Sequence, residues 1–342
     1  MEYNIDILVA GCNTTCMHCY VNGGKAPIME IDDFKLCIDK LKPVFENLKR
    51  NIGFTLDNEI FNHADALEIL EYVEQNCYSN YFFHGSTTGI AFLNHTNQKE
   101  LLKLLKRNGW TAIGYAIHGT ESIHNKIVNS NDGLKAIIES SRIFKKEGFD
   151  VYIYLMITKE LIKSLPELSE VLSEISYDHI GTVIPLYLPT QRLMKYQSIR
   201  CNKDDCDVLY EFLSNMKVDV ESLKSKVELY NEETVYKTLT AKSIEVKLSS
   251  NNTAYFHIDP KLDFYLGNTG STLKYLGNIK QMSSEEILNC IVTAKDNYYE
   301  TSSIHYMDII AAVNSMKLKL SKENYVYQSE IDAILAMMKN IS

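Results

Sequence analysis

Short apolar runs alternate with amphipathic stretches along the first half of the chain. Runs rich in β-branched and aromatic residues predict strands near residues 3–10, 52–57, 81–85, 111–118, 151–158 and 182–188. Between them, apolar residues at i, i+3 and i+4 predict helices near residues 31–49, 64–76, 97–107, 133–147 and 164–176. Six strand–helix units joined by right-handed crossovers favour a parallel sheet, either closed or left open as a partial barrel.

This rhythm changes after about residue 195. A helical pattern near 204–216 is followed by a section rich in Lys, Glu and Ser, and then by two strand candidates at 242–248 and 253–260. Three further helices are predicted near 284–296, 303–317 and 327–340. The sequence therefore predicts an α/β fold with a strand–helix domain over residues 1–195 and a smaller α+β domain with a helical cap over residues 196–342.

The overall charge argues against polyanionic partners. The 342 residues include 35 Lys and Arg against 44 Asp and Glu, which gives a net charge of −9, and no basic run stands out. A nucleic-acid or anionic membrane surface needs clustered cations, so neither partner is expected. The first segment, MEYNIDILVAGC, contains Glu2 and too few apolar residues for a secretion signal or a membrane span. We therefore expect a cytoplasmic protein, in which the 8 cysteines stay reduced.

Three cysteines are concentrated where the first strand ends. Cys12, Cys16 and Cys19 fall on the first predicted strand–helix loop, the edge of a parallel barrel where ligand chemistry is found. Three thiolates suit an iron–sulfur cluster or zinc. Structural zinc normally takes four protein ligands, and His18 lies too close in sequence to complete a standard pattern. A four-iron cluster held by three thiolates keeps one iron open; structural zinc and incidental buried cysteines remain alternatives.

The spacing of these cysteines, CxxxCxxC, resembles the signature of the radical S-adenosylmethionine (radical SAM) superfamily. The resemblance implies a partial (β/α)6 TIM-like barrel, a [4Fe-4S] cluster on Cys12, Cys16 and Cys19, and SAM bound at the open iron. Reductive cleavage of SAM would then give a 5′-deoxyadenosyl radical that abstracts hydrogen from the substrate. It also implies an electron donor such as flavodoxin or ferredoxin. His18 takes the place where the family usually has an aromatic residue close to the adenine.

A second motif follows the second strand. The segment GFTLDNEIF resembles the Gly-Gly-Glu motif that meets the SAM amino group in this family, with Glu59 matching the glutamate and Asp57 and Asn58 replacing the glycines. This departure matters because glycine adopts positive φ more freely than Asp or Asn. An Asx-type helix cap is the alternative interpretation of the same residues.

Further candidates lie at the ends of later strands. His84 lies at the end of the third strand and His118 at the end of the fourth. The segment AIHGTESIHNKI resembles one in which a serine contacts SAM; Ala116 takes the place of that serine, so His118 or His84 is expected to supply the polar group instead. A hydrogen-bonding histidine at a strand end is the alternative for each. In the fifth strand, VYIYLMIT, the tyrosines face the lumen if the aliphatic face packs on helices. The candidates for catalysis are therefore His118, Tyr154 and Tyr187.

The tail resembles a degenerate SPASM or twitch extension. The segment HIDPKLDFYLGNTGSTLKYLGNI has no cysteine where that family region binds an auxiliary cluster, so a single cluster is expected. The alternative is a second metal on Cys201, Cys206 and Cys290. With one cluster there is no obvious internal route for removing an electron from the substrate, which favours epimerisation, rearrangement or elimination.

Three functions therefore remain open. The leading hypothesis is a radical SAM enzyme acting on a small metabolite. The second is radical SAM modification of a ribosomally made peptide. The third, from another class, is a non-catalytic metal- or cluster-binding regulatory protein.

Overall fold

A computed structural model describes the protein over residues 3–17, 19, 24, 27–77, 84–186, 197–216, 218–240, 253–267, 274–294 and 320–339. The strands of the first half are β1 (Tyr3–Ala10), β2 (Ile52–Asn58), β3 (His84–Ser86), β4 (Ala112–Ile117), β5 (Asp150–Met156) and β6 (His179–Val183). Most lie within two residues of their predicted positions. β6 begins three residues before the predicted start, and part of the predicted third strand lies outside the described residues.

Helices follow these strands. They are α1 (Ile31–Leu48), α2 (Ala66–Asn76), α3 (Ile90–Asn94), α4 (Gln98–Arg107), α5 (Glu121–Val128), α6 (Gly133–Lys146), α7 (Lys159–Lys163) and α8 (Leu165–Glu174). The five long ones were predicted. The short helices α3, α5 and α7 were not, because five to eight residues cannot show a full amphipathic period. Within the described residues, no helix combines the length and apolar character needed to cross a membrane.

The second half is more helical than its polar composition suggests. The helices are α9 (Cys206–Asn215), α10 (Glu221–Leu229), α11 (Glu232–Thr240), α12 (284–294) and α13 (Glu330–Lys339). The section rich in Lys, Glu and Ser therefore forms α10 and α11, which bury Leu223 and Val227 of α10 and Val235 and Leu239 of α11. The predicted strand at 242–248 and the predicted helix at 303–317 fall outside the described residues.

The strands form two hydrogen-bonded sheets. One has the order β3-β4-β5-β6 and is parallel throughout. The other has the order β2-β1-β7-β8-β9, in which β7 (Ala254–Ile258) pairs parallel with β1, and β8 (Asp263–Leu266) and β9 (Lys274–Asn278) continue antiparallel. A strand of the second half thus joins the sheet of the first, and the proposed domain boundary near residue 195 is crossed by strand pairing.

Each sheet packs one face on helices and leaves the other toward the interior of the partial barrel, which we call the lumen. On β5, Val151, Ile153 and Leu155 are fully buried in the hydrophobic core, as are the odd-numbered residues of β1. The alternate face of β5 carries Tyr152 and Tyr154. This is the orientation anticipated if the aliphatic face packs on helices.

Candidate functional site

The cysteine loop leaves β1 and is fixed to two neighbouring elements. Cys12 Sγ donates a hydrogen bond to Asn58 Oδ1 at the end of β2 (3.1 Å). The Met17 amide donates to the carbonyl of Ile127 in α5 (2.9 Å), and Asn129 Nδ2 donates to Thr15 Oγ1 (2.6 Å). The described residues 11–17 of the loop are therefore held between the carboxyl end of β2 and α5.

The three thiols interact electrostatically. Burial raises the pKa of the Cys12 thiol above its ordinary range, and negative charge on Glu59, Cys19 and Cys16 raises it further. Cys12, Cys16 and Cys19 are all partly exposed, and none of them forms a disulfide. Thiolates at these positions therefore require a compensating cation, which an iron cluster supplies.

This donor set fits a cluster in which each thiolate binds a different iron. Among the described residues, no three His, Cys, Asp or Glu side chains converge on the position of a single metal ion. The ligands of a four-iron cluster do not have to converge in that way, because they sit on separate corners. Three soft thiolates on one loop are accordingly suited to hold such a cluster.

Glu59 lies at the end of β2 and is 1% exposed. Its carboxylate accepts hydrogen bonds from Thr87 Oγ1 (2.9 and 3.0 Å), from the Thr88 amide (2.8 Å) and from Thr88 Oγ1 (3.1 Å). Both threonines follow β3, and β2 and β3 belong to different sheets. Glu59 therefore links the two sheets at the boundary between β2 and β3, which we call the seam. No backbone hydrogen bonds of a β-ladder pair the described residues of these two strands.

The same burial changes the acidity of Glu59. Desolvation raises its pKa to about 7, although the hydrogen bonds from Thr88 and Thr87 oppose the shift. A cation placed against this carboxylate would favour the ionised form. Sequence analysis found Glu59 by resemblance and missed Thr87 and Thr88; two threonines directly after the third strand were the available signal.

Asn58 takes the conformation that the motif glycine would take. Its φ is 73°, in the left-handed region, and the pairing of β1 with β2 shifts register beside it, between Leu8 and Ala10. Asparagine is among the non-glycine residues that tolerate this region best. The Asn58 amide donates to Asp57 Oδ1 (2.8 Å), and Glu59 does not cap the following 3-10 turn with its side chain. The positive φ required at this position is thus kept without a glycine.

The other predicted site residues lie at separate places in the fold. His118 is fully buried, and its ring centroid lies 5.4 Å from that of buried His124 in α5. Tyr154 lies on the lumen face against two glycines: a Cβ on Gly114 would come within 2.8 Å of its ring, and one on Gly181 within 3.7 Å. His18 and Tyr187 fall outside the described residues, as does the side chain of His84 in β3. The structure brings Cys12, Asp57, Asn58 and Glu59 together at one edge.

A polar row in the lumen escaped the sequence analysis. Asp6 of β1 is in register with Thr55 of β2 on one side and with His257 of β7 on the other. Asp6 Oδ1 accepts hydrogen bonds from Thr55 Oγ1 (2.5 Å) and Asn4 Nδ2 (2.8 Å). The signal was a single acidic residue inside the apolar run YNIDILVA, but the pairing with β7 joins residues about 250 positions apart and leaves no local trace.

Two of the cysteines outside the loop form a pair. Cys201 and Cys206 are both buried, and the hydrogen bond between their thiols raises the pKa of Cys201. The two thiols meet at the start of α9. Across the described ranges, no group of three metal-ligating side chains forms around them or around Cys290.

An α/β barrel with three thiols at its first strand end carries candidate ligands at the carboxyl edge of its strands, which is where barrel enzymes have their active sites. Residues 7–172 match the profile of the Radical SAM superfamily. These residues, just under half of the chain, therefore form a radical SAM domain. Members of the superfamily are enzymes with a partial TIM barrel that use a [4Fe-4S] cluster and S-adenosylmethionine.

Solved structures share the fold at low sequence identity. "Native anSMEcpe with bound AdoMet and Cp18Cys peptide" matches with a TM-score of 0.56 and 14% identity, covering 99% of this chain and 96% of that one. SuiB of Streptococcus suis, bound to precursor peptide SuiA, gives 0.51 and 12%, covering 85% and 65%. Coproporphyrinogen III oxidase (HemN) from Escherichia coli gives 0.50 and 11%, covering 99% and 89%. No curated protein sequence matches the chain.

Proposed function

We propose that this chain is a radical SAM enzyme in which Cys12, Cys16 and Cys19 hold the cluster and the end of β2 holds the SAM amino group. The observation that carries the proposal is that Cys12 lies beside the end of β2. Its Sγ donates a hydrogen bond to Asn58 Oδ1, and the negative charge of Glu59 raises the pKa of its thiol. When bound, the cluster and SAM supply a carbon-centred radical that removes a hydrogen atom from the substrate.

The chain's own residues bind and orient. The left-handed backbone at Asn58 lets β2 approach the cysteine loop, and Asp57 and Glu59 offer carboxylates for an ammonium group. Glu59 is held in place by Thr87 and Thr88, so its orientation is fixed before SAM arrives. Preorganised groups of this kind lower the cost of binding.

The substrate class proposed first is a small metabolite, with a redox-neutral outcome such as epimerisation, rearrangement or elimination. The support for the redox-neutral outcome is the lack of any cysteine between Cys206 and Cys290, which leaves no thiolate for a second cluster in that segment. The electron for SAM cleavage would come from a flavodoxin- or ferredoxin-type partner.

A peptide substrate is the second candidate, because two structures that share this fold are complexes with bound peptides. The two candidates are separable by fractionating an extract into peptides and molecules of low mass. The fraction that raises 5′-deoxyadenosine formation by the holoenzyme contains the substrate.

Anaerobic reconstitution tests the proposal as a whole. Iron and sulfide should load near four of each per chain, and reductant with SAM should yield 5′-deoxyadenosine. Cys16→Ala should abolish both, whereas Cys290→Ala, at a half-buried cysteine outside the loop, should leave both unchanged. Cluster loading without SAM cleavage would favour the regulatory alternative, and failure to load would reject the cluster.

A further inference from the structure

The lumen has two walls of different chemistry. On one, the acidic row consists of Thr55, Asp6 and His257 on the adjacent strands β2, β1 and β7. On the other, the aromatic row consists of Tyr154, Tyr152 and His179: Tyr152 stacks on His179 at 4.4 Å between centroids and lies 6.4 Å from Tyr154. The two rows belong to the two different sheets.

The acidic row lies well below the strand ends. Asp6 precedes Ala10, the last residue of β1, by four positions, which corresponds to about 13 Å along a strand. Cys12 and Glu59 lie at or beyond the strand ends. The carboxylate of Asp6 is thus too deep to serve the cofactor groups proposed for that edge, and it faces the space in which a substrate would sit.

The described strands that line the lumen carry carboxylates and no basic side chain. The strands β1 to β7, with the bounds given above, contain no lysine or arginine, but they place Asp6 and Asp57 on the lumen face. Burial lowers the pKa of His257, although the charges of Asp57 and Asp259 oppose this, so the histidine is mainly neutral at pH 7. The wall therefore repels anions.

One acceptor atom of the row is left for a ligand. The hydrogen bonds that Asp6 accepts from Thr55 and Asn4 both go to Oδ1, and no hydrogen bond between described residues uses Oδ2. Thr55 and Asn4 therefore fix the carboxylate in orientation, and the second oxygen remains to receive a donor. A carboxylate and the face of an aromatic ring are the two groups that recognise an organic cation, and the two sheets supply one each.

We propose that the acidic row binds a protonated amine or guanidinium group of the substrate, with Asp6 Oδ2 as acceptor and the aromatic row as the facing surface. The inference rests on the proposed function, since it takes the lumen as the substrate site. It applies equally to a cationic metabolite and to a peptide with a basic side chain, and it excludes substrates that would place a phosphate or carboxylate in the row.

Three probes with one backbone and different side-chain charge test it: N-acetyl-L-lysine amide, N-acetyl-L-norleucine amide and N-acetyl-L-glutamate amide. Each is titrated by calorimetry into the anaerobic holoenzyme with SAM bound. The lysine probe should bind at least tenfold more tightly than the other two. Equal binding of all three, tighter binding of the glutamate probe, or binding of none would overturn the inference.

A variant pair locates the effect. Asp6→Asn should lower the affinity for the lysine probe at least tenfold and leave the affinity for the norleucine probe unchanged. Asp132→Asn, at an exposed position whose side chain makes no capping hydrogen bond, is the matched control and should change neither. An unchanged lysine affinity in folded Asp6→Asn would overturn the assignment to Asp6.

A second variant covers the case in which Asp6→Asn does not fold. Tyr152→Leu keeps the carboxylate and removes a ring. It should lower the affinity for the lysine probe about threefold or more relative to the norleucine probe. An equal loss of affinity for both probes would count against the cation site. The same preparations report the proposed function separately. Wild-type protein that forms no 5′-deoxyadenosine rejects the enzyme, whereas wild-type protein that forms it and ignores probe charge rejects only this inference.

Discussion

On the lumen side of the five-stranded sheet, β1, β2 and β7 present carboxylates and a histidine, whereas the four-stranded sheet presents tyrosine rings packed on glycines. The first sheet also carries the cysteine loop and Glu59 at its strand ends. Buried carboxylates and the cysteine loop thus belong to one sheet, and the tyrosine rings belong to the other. The proposed substrate site uses this difference, with the first wall binding charged groups and the second limiting where a substrate can lie.

Glu59 is the point at which the two sheets meet, and its replacement should have the largest effect. Glu59→Gln keeps the size of the side chain but removes the charge that would meet the SAM ammonium. We expect 5′-deoxyadenosine formation to fall about 100-fold or more, a loss near 3 kcal/mol of binding and transition-state free energy.

Thr87→Val is the matched control for the seam, since it keeps the carboxylate and removes the hydroxyl that donates to both oxygens of Glu59 and accepts from the Gly89 amide. It should lower the melting temperature by a few degrees, as expected for about 1 kcal/mol, and reduce SAM affinity less than tenfold. If both variants lose stability alike and neither loses SAM affinity, Glu59 only joins the sheets and holds no cofactor.

Replacement of Asp6 should have the next largest effect, which is on the free energy of unfolding as a function of pH. Burial raises its pKa from 3.8 to about 6, and Asp57 adds to the rise, while the hydrogen bonds from Thr55 and Asn4 oppose it. The stabilising contribution of this raised pKa is fully present below pH 3.8 and is lost as pH rises through about 6. Asp6→Asn should therefore stabilise the fold at pH 8 by up to about 3 kcal/mol and have little effect near pH 4.

Denaturant unfolding of the cluster-free protein at the two pH values measures this difference. The groups that face Asp6 from neighbouring strands are Thr55 and Asp57 of β2 and His257 of β7. His257→Gln separates the contribution of the histidine. A pH-independent effect of Asp6→Asn would show that the carboxylate is not perturbed by the lumen.

The aromatic wall gives a smaller effect that depends on shape alone. A Cβ on Gly114 would lie 2.8 Å from the ring of Tyr154, so Gly114→Ala forces the ring or β4 to move. We expect a loss of about 1–3 kcal/mol in the free energy of unfolding. Tyr154→Leu should recover most of this loss in the double variant, and additivity of the two changes would contradict the packing described here.

The two sheets also differ in how far the sequence predicted them. The alternation in VYIYLMIT was enough to predict that Tyr152 and Tyr154 share one face of β5, and the burial of Val151, Ile153 and Leu155 then decided which face packs on the helices. The row of Thr55, Asp6 and His257 could not be predicted, because it exists only after β7 pairs with β1. The same holds for Glu59 and its threonines, which meet across the seam between two sheets.

Local conformation was predictable where a motif fixes it, and Asn58 is the clearest case. The expectation was that Asn in a glycine position would adopt a positive φ less freely; the structure has that φ, and the Asn58 side chain accepts a hydrogen bond from Cys12. The cost of the conformation is therefore partly offset by a contact to the cysteine loop, which a glycine could not make.

Two substitutions at Asn58 separate conformation from contact and should give the smallest effect. Asn58→Gly relieves the left-handed backbone but removes the acceptor for Cys12, so the two changes nearly cancel in the free energy of unfolding. Asn58→Ala removes the acceptor and keeps the strain, and it should be less stable than Asn58→Gly by about 1 kcal/mol. Denaturant unfolding of the cluster-free variants measures the difference. If the Asn58→Ala variant is as stable as the Asn58→Gly variant, the backbone at residue 58 leaves the left-handed region without cost. The approach of β2 to the cysteine loop then does not depend on the left-handed conformation.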